Sequence, residues 1–218
     1  MSTLSSSLPD TSRGCHGQNV VFCGIDGSGK TTAARASYTY LRLRGFNVCL
    51  HWFRGSHLAA SILLRLLSRF NAFRGVCNPY YRVCVPSKLR GLWALVEFLN
   101  LIPHLVTRLM LQHICFIVGD RGALDSAVWI AATLKWLSFL KTIPGRFLLA
   151  LASKENIVYL YAEPMILLRR CDIPRDFFLR ELALYNALAK HFARLSIDTG
   201  RWRPAQVVAR ILKYLEIT

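Results

Sequence analysis

Residues 22–32 read FCGIDGSGKTT. The apolar run from Asn19 to Cys23 leads into them, and good helix formers follow from Lys30 to Arg44, with Gly45 as a stop. The stretch therefore joins a buried strand to a helix. Gly24, Gly29, Lys30 and Thr31 satisfy the pattern G-x-x-x-x-G-K-[ST]. A random chain of this length meets that pattern about one time in a hundred, and the strand before it and helix after it are what its mechanism requires. Glycines let the backbone curl so that successive N–H groups face inward. The helix start adds its positive end. Lys30 reaches outer phosphates and Thr31 binds Mg²⁺. Gly24, Ile25, Asp26, Gly27, Ser28, Gly29, Lys30, Thr31 and Thr32 are thus the expected ATP-binding segment.

Outward from this loop the chain alternates. Further strands are predicted at Asn47–Phe53, His113–Val118, Asn156–Tyr161 and Leu195–Asp198. Helices are predicted at 56–70, 87–112 (kinked or divided at Pro103), 124–140, 164–170, 174–194 and from Pro204 onward. Residues 71–86 read as a loop, and Pro144-Gly145 as a turn. Strands alternating with helices predict a three-layer α/β sandwich: a parallel sheet of about five strands with helices on both faces. With 218 residues, one domain over 19–218 is expected, preceded by a loose serine-rich tail over 1–18.

Charge is the unusual feature. Lys and Arg number 28 against 12 Asp and Glu. From Gly27 through Val96 there is no carboxylate but there are 11 basic residues. A merely soluble surface mixes the signs, so anionic partners are expected: phosphates, nucleic acid or an acidic membrane surface. Uncharged runs such as Phe98–Thr107 and Leu109–Gly119 fall short of the roughly 18 apolar residues of a membrane span. With no apolar block near the N-terminus, a cytoplasmic location is expected. The seven cysteines form no CxxC pair. Cys23, Cys49 and Cys115 read as buried free thiols, while Cys77 and Cys84, in the 71–86 loop, leave a disulfide open.

A phosphate loop serves kinases, GTPases, motor ATPases and sulfotransferases alike. The NKxD element of G proteins is absent. FCGIDGSGKTT resembles the phosphate loop of thymidylate kinases, which are P-loop nucleoside monophosphate kinases. VGDRGALDSAVW after the third strand is similar to that family's DR motif and serine-bearing helix start. AEPMILLRR, DFFLRELALYNALAK and SIDTGRWRPAQVVARIL resemble its later elements, so the likeness spans most of 19–215. It implies a P-loop NTPase fold, ATP and Mg²⁺ as cofactors, dTMP as acceptor and a homodimer. By the same resemblance Arg121 holds the acceptor phosphate and Asp26 faces the acceptor's sugar hydroxyl. Arg54, ending strand two, stands where the family keeps an arginine. RRCDIPR, about 169–176, is its lid candidate, with Arg170 the catalytic arginine among Arg169, Arg170 and Arg175.

The residues support that carry-over. Bringing two polyanions together requires several cations at the transferring phosphoryl group. Lys30, Arg121 and Arg54 supply them, and Asp120, at the end of strand three, orients metal-bound water. In the helical insert at about 56–112, Trp93 and Phe98 are the candidates to stack on a base, with Glu97 or Asn100 to hydrogen-bond it. The family's A-D-R sequence is absent there, and Tyr161 stands where the family tends to carry aspartate. The alternatives are a kinase of a polynucleotide 5′ end, for which Tyr80, Tyr81 and Arg82 are the tight aromatic–basic cluster, and a nucleotide-binding module without catalysis.

Overall fold

A computed structural model of the chain describes residues 19–54 and 59–217. The tail over 1–18 and the expected start of the second helix at Ser56 lie outside the described residues. Five strands form one parallel sheet: β1 (Asn19–Cys23), β2 (Val48–Trp52), β3 (Phe116–Asp120), β4 (Ile157–Tyr161) and β5 (Ala193–Asp198). Their spatial order is β2-β3-β1-β4-β5. Eight α-helices accompany them among the described residues: α1 (Lys30–Leu43), α2 (Ala59–Leu67), α3 (Arg90–Leu111), α4 (Ala123–Thr133), α5 (Ile143–Ala152), α6 (Pro164–Arg170), α7 (Arg175–Phe192) and α8 (Pro204–Ile217).

Successive strand side chains point to opposite faces. Val20 and Phe22 accordingly pack with Ala33, Ala34, Val207 and Ile211, under α1 and α8. Val21 and Cys23 pack with Leu64, Trp93, Leu124 and Leu148, under α2 to α5. Burial on both faces explains why β1 and β4 are almost wholly apolar. The register positions the site. Phe22 of β1 and Trp52 of β2 both lie opposite Asp120 of β3, so three strands end level and their following loops converge. Open α/β sheets bind ligands at that carboxyl edge.

The structure departs from the sequence reading in several places. β3 begins at Phe116 rather than His113, because Ile114 and Cys115 are spent closing α3 through bonds to the Leu111 carbonyl. The helix expected over 124–140 ends at Thr133, a left-handed Lys135 (φ 49°) breaks it, and a short 3₁₀ turn follows at Leu137–Lys141. Pro144-Gly145 is not a turn but the first turn of α5. Proline lacks the N–H that would go unpaired there, and the Thr142 hydroxyl caps Gly145 N at 3.3 Å. Pro103 does not divide α3. Counting only unbroken uncharged runs also understated α3. Ser87–Leu111 is long and apolar enough to cross a membrane, yet one face buries Trp93, Ala94, Glu97, Asn100 and Leu101 against the core.

Cys49 and Cys115 are not free thiols. Adjacent strands bring their Cα atoms to 5.9 Å and they form a disulfide. Cys77 and Cys84 form a second, and Cys23 stays a buried thiol as expected.

Candidate active site

The loop after β1 is shaped by its glycines. Gly24 has φ +147°, and a Cβ there would lie 2.2 Å from the Leu160 carbonyl oxygen. Gly29, at φ +89°, is the opposite case, since a Cβ there would meet nothing within 4 Å. That open side faces the start of α1, which has neither a capping side chain nor an acidic residue in its first turn. Its free N–H groups and positive end are therefore offered to an anion from outside.

Three side chains, two of them predicted for this site, converge on the Asp26 carboxylate. Arg121 Nη2 donates to Asp26 Oδ1 and forms an ion pair with it. Lys30 Nζ lies 3.6 Å from the same oxygen and donates to the Ile25 carbonyl at 2.7 Å. The Tyr80 hydroxyl donates to Asp26 Oδ2. Burial alone would raise the Asp26 carboxyl, but Lys30 and Arg121 outweigh it and hold it well below the usual carboxylate range. Burial, with Arg121 adding, lowers Lys30. Behind them Glu181 of α7 is buried with Oε2 unpartnered, and burial, reinforced by Asp26, pushes its carboxyl up to about 8.

Arg121 is held in place from below. It adopts φ 75°, a left-handed conformation that costs a non-glycine residue energy unless its surroundings enforce it. Arg108 of α3 enforces it by donating to the Arg121 carbonyl at 2.7 Å while paired with part-buried Glu155. Asp125 ties the two loops together. It accepts from Gly122 N at 2.9 Å, from Gly24 N at 3.3 Å and from the Tyr185 hydroxyl at 2.6 Å. Through Gly122 N it also caps the start of α4.

Two cavities flank the loop. One, of about 290 Å³, is lined by Ser28, Gly29, Thr32, Arg170, Thr199 and Trp202. Arg170 bonds Thr199 at 3.3–3.4 Å and packs beside Gly27 of the loop; like Arg169 and Arg175, it is exposed. Thr31 is exposed beside Thr32 at the start of α1. The other cavity, of about 20 Å³, is lined by Phe53, Arg54, Glu97, Arg121, Asp125 and Trp129 among others. Arg54 lies over a Tyr80–Trp129 stack, 4.7 Å from the first ring and 5.8 Å from the second. Trp93 and Phe98 do not line this cavity. Trp93 is buried and donates to Glu97 at 3.2 Å, and Phe98 packs edge-on against Phe147. Asn100 is committed to the Ala60 amide. Burial raises Glu97 to about 7.

Asp120 is buried at the end of β3, and its Oδ1 has no hydrogen-bond partner. An orphaned carboxylate oxygen fits a water-coated divalent cation held mainly by phosphate oxygens. Among the described residues no group of three or more His, Cys, Asp or Glu forms a cage for a metal.

Sequence reasoning located the loop, Lys30, Asp26, Arg121 and Asp120, but missed Arg108, Glu155, Trp129 and Glu181 as site members. The available signal was scarcity. Glu97, Glu155 and Glu181 are three of only 12 acidic residues, and the first two sit in or just after apolar helices. No protein-family model matches the chain, and a search of curated proteins finds no match.

Proposed function

We propose that the chain is a P-loop nucleoside monophosphate kinase of thymidylate kinase type, moving the γ-phosphoryl group of ATP onto a nucleoside monophosphate, with dTMP to dTDP the favoured reaction. One observation carries this reading: Lys30 and Arg121 share a focus at Asp26 Oδ1, at the carboxyl ends of adjacent strands. Two cations aimed at one point suit a phosphoryl group in transfer, whose charge is spread over its oxygens. Lys30 would bind the donor's outer phosphates and Arg121 the acceptor's phosphate, leaving Asp26 to accept a hydrogen bond from an acceptor hydroxyl. The cavity beside Thr32, Arg170 and Trp202 suits the donor's nucleoside. Mg²⁺ would be held by Thr31 and, through water, by Asp120; it supplies neutralisation of the β- and γ-oxygens. Glu97, Trp129 and Arg54 replace Trp93 and Phe98 as the groups suited to an acceptor base.

A second reading, phosphorylation of a polynucleotide 5′ end, draws on the carboxylate-free stretch from Gly27 to Val96 and the Tyr80–Arg54 contact. One assay separates them. ADP release is followed with ATP, Mg²⁺ and each nucleoside monophosphate or a 5′-hydroxyl oligonucleotide. Turnover with dTMP supports the first reading, and turnover only with the oligonucleotide supports the second. Lys30→Ala should abolish transfer, and undiminished turnover in that variant would refute both.

A homodimer through α3 belongs to the same proposal. Leu92, Leu95, Leu99, Ile102, Val106 and Leu109 are all exposed at alternating spacings of three and four, the seam pattern of paired helices. Sedimentation giving only monomer at micromolar concentration would refute it.

A further inference from the structure

Residues 74–84 form a braced turn. Arg74 and Val83 make an antiparallel bridge, Cys77 and Cys84 close a disulfide, and Asn78 Oδ1 accepts from Tyr80 N at 3.0 Å and Tyr81 N at 3.2 Å. The turn carries one ring into the site. Tyr80 lies nearly parallel on Trp129, with ring centroids 5.6 Å apart and an interplanar angle of 27°, and its hydroxyl reaches Asp26. The Arg54 guanidinium covers the same ring at 4.7 Å.

Trp129 and Arg54 are walls of the cavity beside Arg121, and that cavity holds about 20 Å³. A single water needs about 10–15 Å³, and small-molecule sites run to about 300–1,000 Å³. No nucleotide enters this space while its walls stay stacked on Tyr80. The phenol ring also reproduces what the proposed acceptor brings, a flat ring on an aromatic face and a hydroxyl donating to Asp26. The same hydroxyl bonds to Asp26 whether it comes from the protein or from a sugar, so the two compete.

We propose that Tyr80 is a built-in occupant of the acceptor pocket, which the acceptor displaces as it binds. The inference rests on the kinase reading above and adds an autoinhibitory contact to it. Tyr80 is 46% exposed, so it leaves toward solvent without opening the core. Every acceptor must break the Tyr80–Asp26 bond first, which lowers apparent affinity by the fraction of molecules already open.

Calorimetric titration of the full chain tests this, with dTMP and separately with ATP, in the wild type and in Tyr80→Phe. The phenylalanine keeps the stack and deletes only the hydroxyl. Releasing a hydrogen bond to a charged group should tighten dTMP binding about tenfold while ATP binding stays unchanged. Equal or weaker dTMP binding by the variant overturns the role of Tyr80 and leaves the kinase reading standing. Failure of both proteins to bind dTMP or any other nucleoside monophosphate, with ATP bound by both, overturns the acceptor reading and this inference with it.

Discussion

Glu97→Gln isolates the electrostatic cost of the candidate acceptor pocket. Glu97 is 2% exposed and accepts a hydrogen bond from Trp93 Nε1. Burial moves its carboxyl from an ordinary 4.5 to about 7. A carboxyl raised on folding binds its proton more tightly in the native state than in the unfolded chain. Its contribution is therefore fully present below about pH 4.5 and is lost as pH rises through about 7. At 1.36 kcal/mol per pH unit, the interval from 4.5 to about 7 amounts to about 3 kcal/mol. Glutamine keeps the shape and the acceptor for Trp93 but does not ionise. Urea unfolding by tryptophan fluorescence, at about pH 5 and about pH 8, should show the variant gaining on the wild type by most of that amount as pH rises. Glu181, raised to about 8, gives a slope of the same sign in both proteins, so the difference between them belongs to Glu97. A gap that does not change with pH would refute the reasoning.

Other perturbations probe the site's supports. Asp125→Ala removes the acceptor of the buried Tyr185 hydroxyl and the cap of α4, and should cost about 2–4 kcal/mol in chemical denaturation. Arg108→Met strands the mostly buried Glu155 carboxylate and should cost about 2–4 kcal/mol, part of which a second change, Glu155→Gln, restores. Replacing Cys49 and Cys115 together by serine opens a cross-link of 66 residues' separation and should cost at most about 4 kcal/mol by loop entropy; an unchanged melting temperature would count against the bridge.

The α/β alternation was legible because strands buried on both faces must be apolar runs, and all five expected strands occur within three residues of their predicted starts. Helix ends were harder, since Pro144-Gly145 has the same letters whether it turns the chain or opens α5. Residues consecutive with the loop motif were readable in the same way: Lys30 and Asp26 lie within it, and Asp120-Arg121 end an apolar run. The aromatic wall was not. Trp93 and Phe98 have the spacing of either a base platform or a core stripe, and helical periodicity does not say which neighbour a face meets.

The sequence by itself determined the glycine-rich loop between β1 and α1, because backbone curl, helix start and lysine are set within a dozen consecutive residues whose geometry is local. Only the tertiary structure decided what meets that loop. The β1–β3 register brings Arg121 to Asp26 across 95 positions, the turn over residues 74–84 delivers Tyr80 across 54, and neighbouring strands join Cys49 to Cys115. Such pairings follow from strand order, which no local pattern of residues encodes.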